Sequence, residues 1–194
     1  MQKRYLIPLL TWITFQALAQ PEHINYKIKS EETFRVTPGS KKNGRYFPAN
    51  ATVTMADGTI KEIANVQVGE YVQTLEKGRS IITQVKQIDV YNHPSSALTA
   101  VYLRPVQGTS ASNGSRAQAL LLEVTPYHHV QTGKGRKRIK NLSRKDVLFH
   151  FEPATGGLSA WKVGAIQENA RKVNKAYNLK TELGTYLVEN VVVN

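Results

Sequence analysis

Cysteine is absent from the 194 residues, which excludes disulfides, thiolate-bound metal and any thiol nucleophile. The compartment stays open, since an exported chain with an adequate core can dispense with disulfides. Long hydrophobic runs are missing too. The apolar stretch from Tyr5 to Leu18 is interrupted by Pro8, Thr14 and Gln16 and is short for a membrane span. Acidic residues are scarce: 14 Asp and Glu stand against 26 Lys and Arg, for a formal net charge of +12. That balance suits anionic neighbours, or simply a solvated basic surface. No glycine-rich phosphate loop and no serine-hydrolase elbow occurs. His128 and His129 are adjacent and would point to opposite faces of a strand. Histidines 23, 93 and 150 share no ligand spacing with them. No metal and no cofactor is expected.

What is present divides the chain into three parts. Lys3 and Arg4, the apolar stretch, and Ala17-Leu18-Ala19 have the charge, core and small-x-small pattern of a secretory signal over residues 1–19. Cleavage is expected after Ala19, with export to a periplasm, envelope or medium. Residues 20–45 read as a polar leader, able at most to form a short edge strand over Ile28 to Val36. The leader ends in the linker-like run Pro38 to Arg45. Residues 46–194 read as one all-β domain.

Within that domain, Ala51 to Met55 alternates as a half-buried strand should, and Asp57-Gly58 is a tight-turn dipeptide. Ser80 to Val90 predicts a bent strand with Asp89 near its end, and Ala97 to Val106 predicts another. Leu120 to Val124 is a buried strand entering a turn that carries Thr125 and His128. Lys134, Arg136, Lys137, Arg138, Lys140, Arg144 and Lys145 crowd a hairpin-like segment. Without interleaved aromatics it suits an anionic envelope polymer or lipid surface, and nucleic acid is not expected. Trp161 to Ile166 predicts a strand. Ala176 to Thr181 and Thr185 to Asn194 are expected to pair as a closing hairpin around Glu182-Leu183-Gly184. Ile139 to Leu148 also echoes Ile63 to Val72 in register, an internal repeat.

The stretch Tyr46-Phe47-Pro48, Thr52-Val53, Asp57-Gly58 and Ile63 to Val72 resembles the opening of Hint domains, the self-processing modules of hedgehog proteins and inteins. Val124-Thr125 with His128 resembles their second landmark, "Val-Thr-x-x-His". Thr185-Tyr186 through Val192 resembles their closing phrase, which here ends Val193-Asn194 without a penultimate His. The resemblance covers residues 46–194. It implies a horseshoe of short bent strands with a pseudo-twofold repeat, in accord with the echo.

The resemblance also implies a site, with departures. Hint domains begin with Cys, whose thiolate attacks the preceding carbonyl; here the position holds Tyr46. A phenol has a reference pKa of about 10 and sits too many bonds from the backbone to close the same small ring. Thr125 and His128 are the implied polarising pair. Alternatively, Thr125 caps the turn and His128 bonds backbone. Asp89 lies where hedgehog-type domains look to carry an acid; the bland reading is a solvated strand-end carboxylate. Asn194 matches a terminal Asn that can cyclise, with no residue after it here. No sterol requirement is expected. The expected function is an exported module, inactive in autoprocessing, that binds or builds. The alternative is residual autoproteolysis at Arg45–Tyr46, with Thr125 and His128 polarising the bond for water.

Overall fold

The computed structural model describes the backbone of Phe34–Pro38 and residues 44–106 and 119–194 in full. The expected signal and most of the leader lie outside the described residues. Among the described residues there is no α-helix, and the domain is all-β. Fifteen strands form among the described residues. They begin with β1 (Phe34–Pro38), β2 (Phe47–Pro48), β3 (Thr52–Thr54), β4 (Ile60–Glu62), β5 (Tyr71–Glu76) and β6 (Arg79–Asn92). Next come β7 (Leu98–Pro105), β8 (Leu120–Val124), β9 (His129–Thr132), β10 (Gly135–Arg138), β11 (Val147–Glu152) and β12 (Gly157–Arg171). The chain closes with β13 (Lys175–Thr181), β14 (Tyr186–Val188) and β15 (Val191–Val193).

The internal repeat is structural. The β3–β4 hairpin turns on Asp57-Gly58, where Gly58 takes φ +84° and the Asp57 carboxylate accepts the Thr59 amide. Its counterpart is the basic hairpin β9–β10. Each hairpin leads into a single 3-10 turn, Ile63–Asn65 or Ile139–Asn141. The main-chain bonds that anchor these turns match: Ile63 N–H to Ala51 O at 2.8 Å, and Ile139 N–H to His128 O at 2.9 Å. The side-chain braces match as well. Lys61 meets Glu70 at 2.7 Å, and Lys137 meets Asp146 at 2.8 Å. The four apolar side chains Val53, Ile63, Val72 and Val85 are fully buried, as are their equivalents Val130, Ile139, Leu148 and Val163. Each such burial contributes roughly 1.5–3 kcal/mol, so both halves are built on the same hydrophobic nucleus.

The halves are joined by exchange. Strand β7, which follows the first half, lies between β12 and β8 of the second. Strand β13, which follows the second half, lies between β6 and β2 of the first. The long strand β12 bends where its register against β7 shifts between Val163 and Ala165. Gly164 lies at this shift, where a Cβ would stand 3.4 Å from the Tyr102 carbonyl, an ordinary contact.

This exchange corrects the expected closing hairpin. β13 and β14 do not pair with each other; β13 is captured by β6, and β14 pairs with β15 and β3. The true hairpin is β14–β15, turned on Glu189 and Asn190, both at positive φ (48° and 57°) as a type I′ turn requires. It spans both halves, with β14 on β3 and β15 on β9.

Candidate functional site

Tyr46 enters β2 from Arg45, Thr125 follows β8, His128 precedes β9, and Asn194 follows β15. The exchange of arms brings these four ends together. The Tyr46 N–H donates to Thr125 Oγ1 at 3.1 Å, and the Thr125 N–H donates back to the Tyr46 carbonyl at 3.2 Å. The amide of the Arg45–Tyr46 bond is thus held by Thr125. The His128 N–H closes a turn onto the Thr125 carbonyl at 3.2 Å. Its Nδ1 lies 3.0 Å from the carbonyl oxygen of Asn194. Since a carbonyl can only accept, Nδ1 carries the proton and Nε2 holds a lone pair.

His128 is fully buried, with its ring centroid 4.4 Å from that of Phe47. Burial pushes its pKa down to about 3; the nearby charges of Arg45 and His129 push the same way, against the Asn194 carbonyl. The imidazole is therefore neutral at neutral pH. Its buried Nε2 makes no hydrogen bond of ordinary geometry among the described residues, although the Asn178 side chain lies near enough to favour the charged form.

Tyr46 is equally buried but differently occupied. Its hydroxyl donates to the Ser96 carbonyl at 2.7 Å and accepts the Ser96 N–H at 3.0 Å. The ring packs on Tyr91 at 5.1 Å, beside Leu98 and Ala176. Burial raises the phenol's pKa despite these bonds, so it remains protonated.

Asn194 is fixed at both ends of its side chain. Arg136 donates to its Oδ1, and its Nδ2 donates to the Gly184 carbonyl. The amide nitrogen that would attack in a cyclisation is committed elsewhere.

Asp89 departs from the solvated strand-end acid weighed above. It is buried within β6, opposite Asn178 of β13. Gln87 donates to its carboxylate, and the Lys180 ammonium lies 3.5 Å away. It makes no hydrogen bond to Tyr46, Thr125 or His128. The site residues missed in sequence come from distant segments: Ser96 after β6, and Asn178, which accepts the buried Tyr186 hydroxyl at 3.0 Å. Tyr186 stood inside a quoted motif, but nothing in its spacing signalled that contact.

No family model matches the sequence. Solved structures do match the architecture. A DnaB intein from Synechocystis sp. PCC 6803 superposes with a TM-score of 0.59 at 13% identity, over 78% of this chain and 98% of that one. An intein from a hyperthermophile gives 0.61 at 13% identity, over 78% and 99%. A bacterial intein-like domain from Clostridium thermocellum gives 0.52 at 19% identity, over 77% and 97%. The chain has the Hint fold. In that fold, the all-β architecture and the internal repeat seen here are as the sequence resemblance implied.

Of the seven cations in the basic segment of this Hint fold, four are engaged. Lys137 pairs with Asp146, Arg136 reaches Asn194, Arg138 contacts His129, and Lys140 sits over the Tyr127 ring. The side chains of Lys134, Arg144 and Lys145 make no ion pair among the described residues.

Proposed function

We propose that this chain is an exported Hint-fold protein that keeps the polarising half of an autoprocessing site, lacks its nucleophile, and serves as a binding or structural module. The observation that carries this reading is the Tyr46 hydroxyl. Both its proton and a lone pair are engaged by the Ser96 main chain, and the group stays protonated, so it cannot attack the Arg45 carbonyl. Thr125 meanwhile still holds the adjoining amide. Export rests on the signal-like residues 1–19.

The test is the intact mass of the purified domain and leader, aged with and without a strong thiol, beside a Tyr46→Cys variant checked by circular dichroism. Wild type is expected to stay whole, and the folded variant to release the leader before position 46. Wild type breaking before Tyr46 would overturn the reading.

That outcome would favour hydrolysis with Thr125 and His128 polarising the bond, a reading supported by the Tyr46–Thr125 hydrogen bond. It requires cleavage to vanish in His128→Ala. The binding surface we propose is the β9–β10 hairpin and its following turn, through Lys134, Arg144 and Lys145, toward an anionic polymer or lipid headgroup. Such binding should weaken steeply with salt and with neutralisation of these three residues.

A further inference from the structure

Strand β1 comes from the expected leader, yet residues 32–194 form one compact unit. The Arg45–Tyr46 bond therefore lies inside that unit, not at its border. β1 runs parallel to β6, with Phe34 beside Ile88, Val36 beside Val90 and Pro38 beside Asn92. No tight turn joins parallel neighbours, and here β2 to β5 intervene. β1 is thus held by the edge it meets, in the way an added peptide strand is.

β6 leaves that edge open for it. Along one side, β5 pairs from Arg79 to Gln84, and the main chain of Gly69 and Glu70 continues to Val85 at 2.8 and 2.9 Å. β13 covers the other side from Val85 to Asn92. Without β1, the first side would be bare over Ile88, Asp89, Val90 and Tyr91, four consecutive buried residues. Unpaired main-chain groups there are costly, and an uncovered edge invites foreign strands. Among the described residues, β1 is the strand that pairs with this side.

The topology also separates the two ends of any cut. The sheet runs β1-β6-β13-β2, so β1 and β2 stand three strand spacings apart, about 14 Å. Each is fixed by its own partner, β1 by β6 and β2 by β13. The chain between Pro38 and Phe47 bridges these edges, and neither ladder runs through it.

We infer that the β6 edge from Ile88 to Asn92 is a strand-binding surface whose occupant is the leader's own Phe34–Pro38. A leader severed anywhere between Pro38 and Phe47 stays bound, and the cut chain is a one-to-one complex. This holds whether or not Tyr46 has lost its chemistry, since any protease that cuts the segment reveals it.

For the test, a site for a sequence-specific protease is inserted between Gly39 and Ser40 of the purified domain and leader. Mass in denaturant reports the cut; native mass and gel filtration report whether the leader leaves. The cut chain is expected to keep its native mass, apart from the added water, and to shed the leader in denaturant. Proline substitution supplies the readout specific to a strand. Successive N–H groups of a strand point to opposite sides. Of Arg35→Pro and Val36→Pro, one therefore removes a ladder bond and the other an outward N–H. One variant should hold the cut leader at least about tenfold more weakly than the other, with each checked uncut by circular dichroism. Loss of the leader from wild type on cutting, equal retention in the two variants, or a two-to-two complex would each overturn the assignment. The last would mean that the strand is exchanged between copies.

Discussion

The two halves of the domain build the same turn from different chemistry. In the first, the Ala51 N–H closes onto the Pro48 carbonyl at 3.1 Å; in the second, the His128 N–H closes onto that of Thr125 at 3.2 Å. Each turn then receives the amide of its 3-10 segment, Ile63 or Ile139. The first half shows that proline and alanine suffice for the geometry. Thr125 and His128 are therefore not demanded by the fold, and burying an imidazole nitrogen without an ordinary hydrogen bond is an expense the first half avoids. The polar pair belongs to the site that links Tyr46 to Asn194, which supports the proposal that the departure from an autoprocessing site lies at Tyr46.

The comparison can be broken first at the nucleus. Ile63→Ala and Ile139→Ala should each destabilise by about 3–4 kcal/mol, read from urea unfolding. A difference above about 1.5 kcal/mol between them would mean that the halves are not energetic equivalents. Acid tests the turns next. The pKa of His128 is about 3 in the fold against 6.5 when free, so the unfolded chain takes up the extra proton between those values. Its contribution is present above pH 6.5 and lost as pH falls toward 3, amounting to about 2 kcal/mol by pH 5. A folded His128→Gln variant should flatten that part of the stability curve; an unchanged slope would remove His128 as its cause. The braces give the smallest effect. Asp146 is 4% exposed and Glu70 30%, so Asp146→Asn should cost about 1–3 kcal/mol and Glu70→Gln under about 1 kcal/mol. Equal losses would show that burial does not separate the two pairs.

Much of the architecture was legible because its signals are local. The Asp57-Gly58 turn, the alternation at Ala51 to Met55 and the echo of Ile63 in Ile139 each need only a few neighbouring residues. The closing hairpin was misread because Ala176 to Thr181 has a better partner far away in β6, and because Glu189-Asn190 lacks the glycine that usually announces a type I′ turn. Asp89 was misjudged for a related reason: its burial is imposed by β13, not by its own strand. In the site, Thr125 and His128 stood out by spacing. Ser96 and Asn178 did not, since their contacts exist only after the arms are exchanged.

The exchange also sets a timetable for synthesis. Phe47 and Pro48 leave the ribosome early, yet their strand partners, Ala176 and Tyr177, are added only after the second half has been translated. At ordinary elongation rates that is a wait of roughly 6–25 s, during which β2 and one edge of β6 have no neighbour. A nascent first half must therefore be shielded or remain unfolded, and the pocket around Tyr46 takes shape only after nearly the whole domain has emerged.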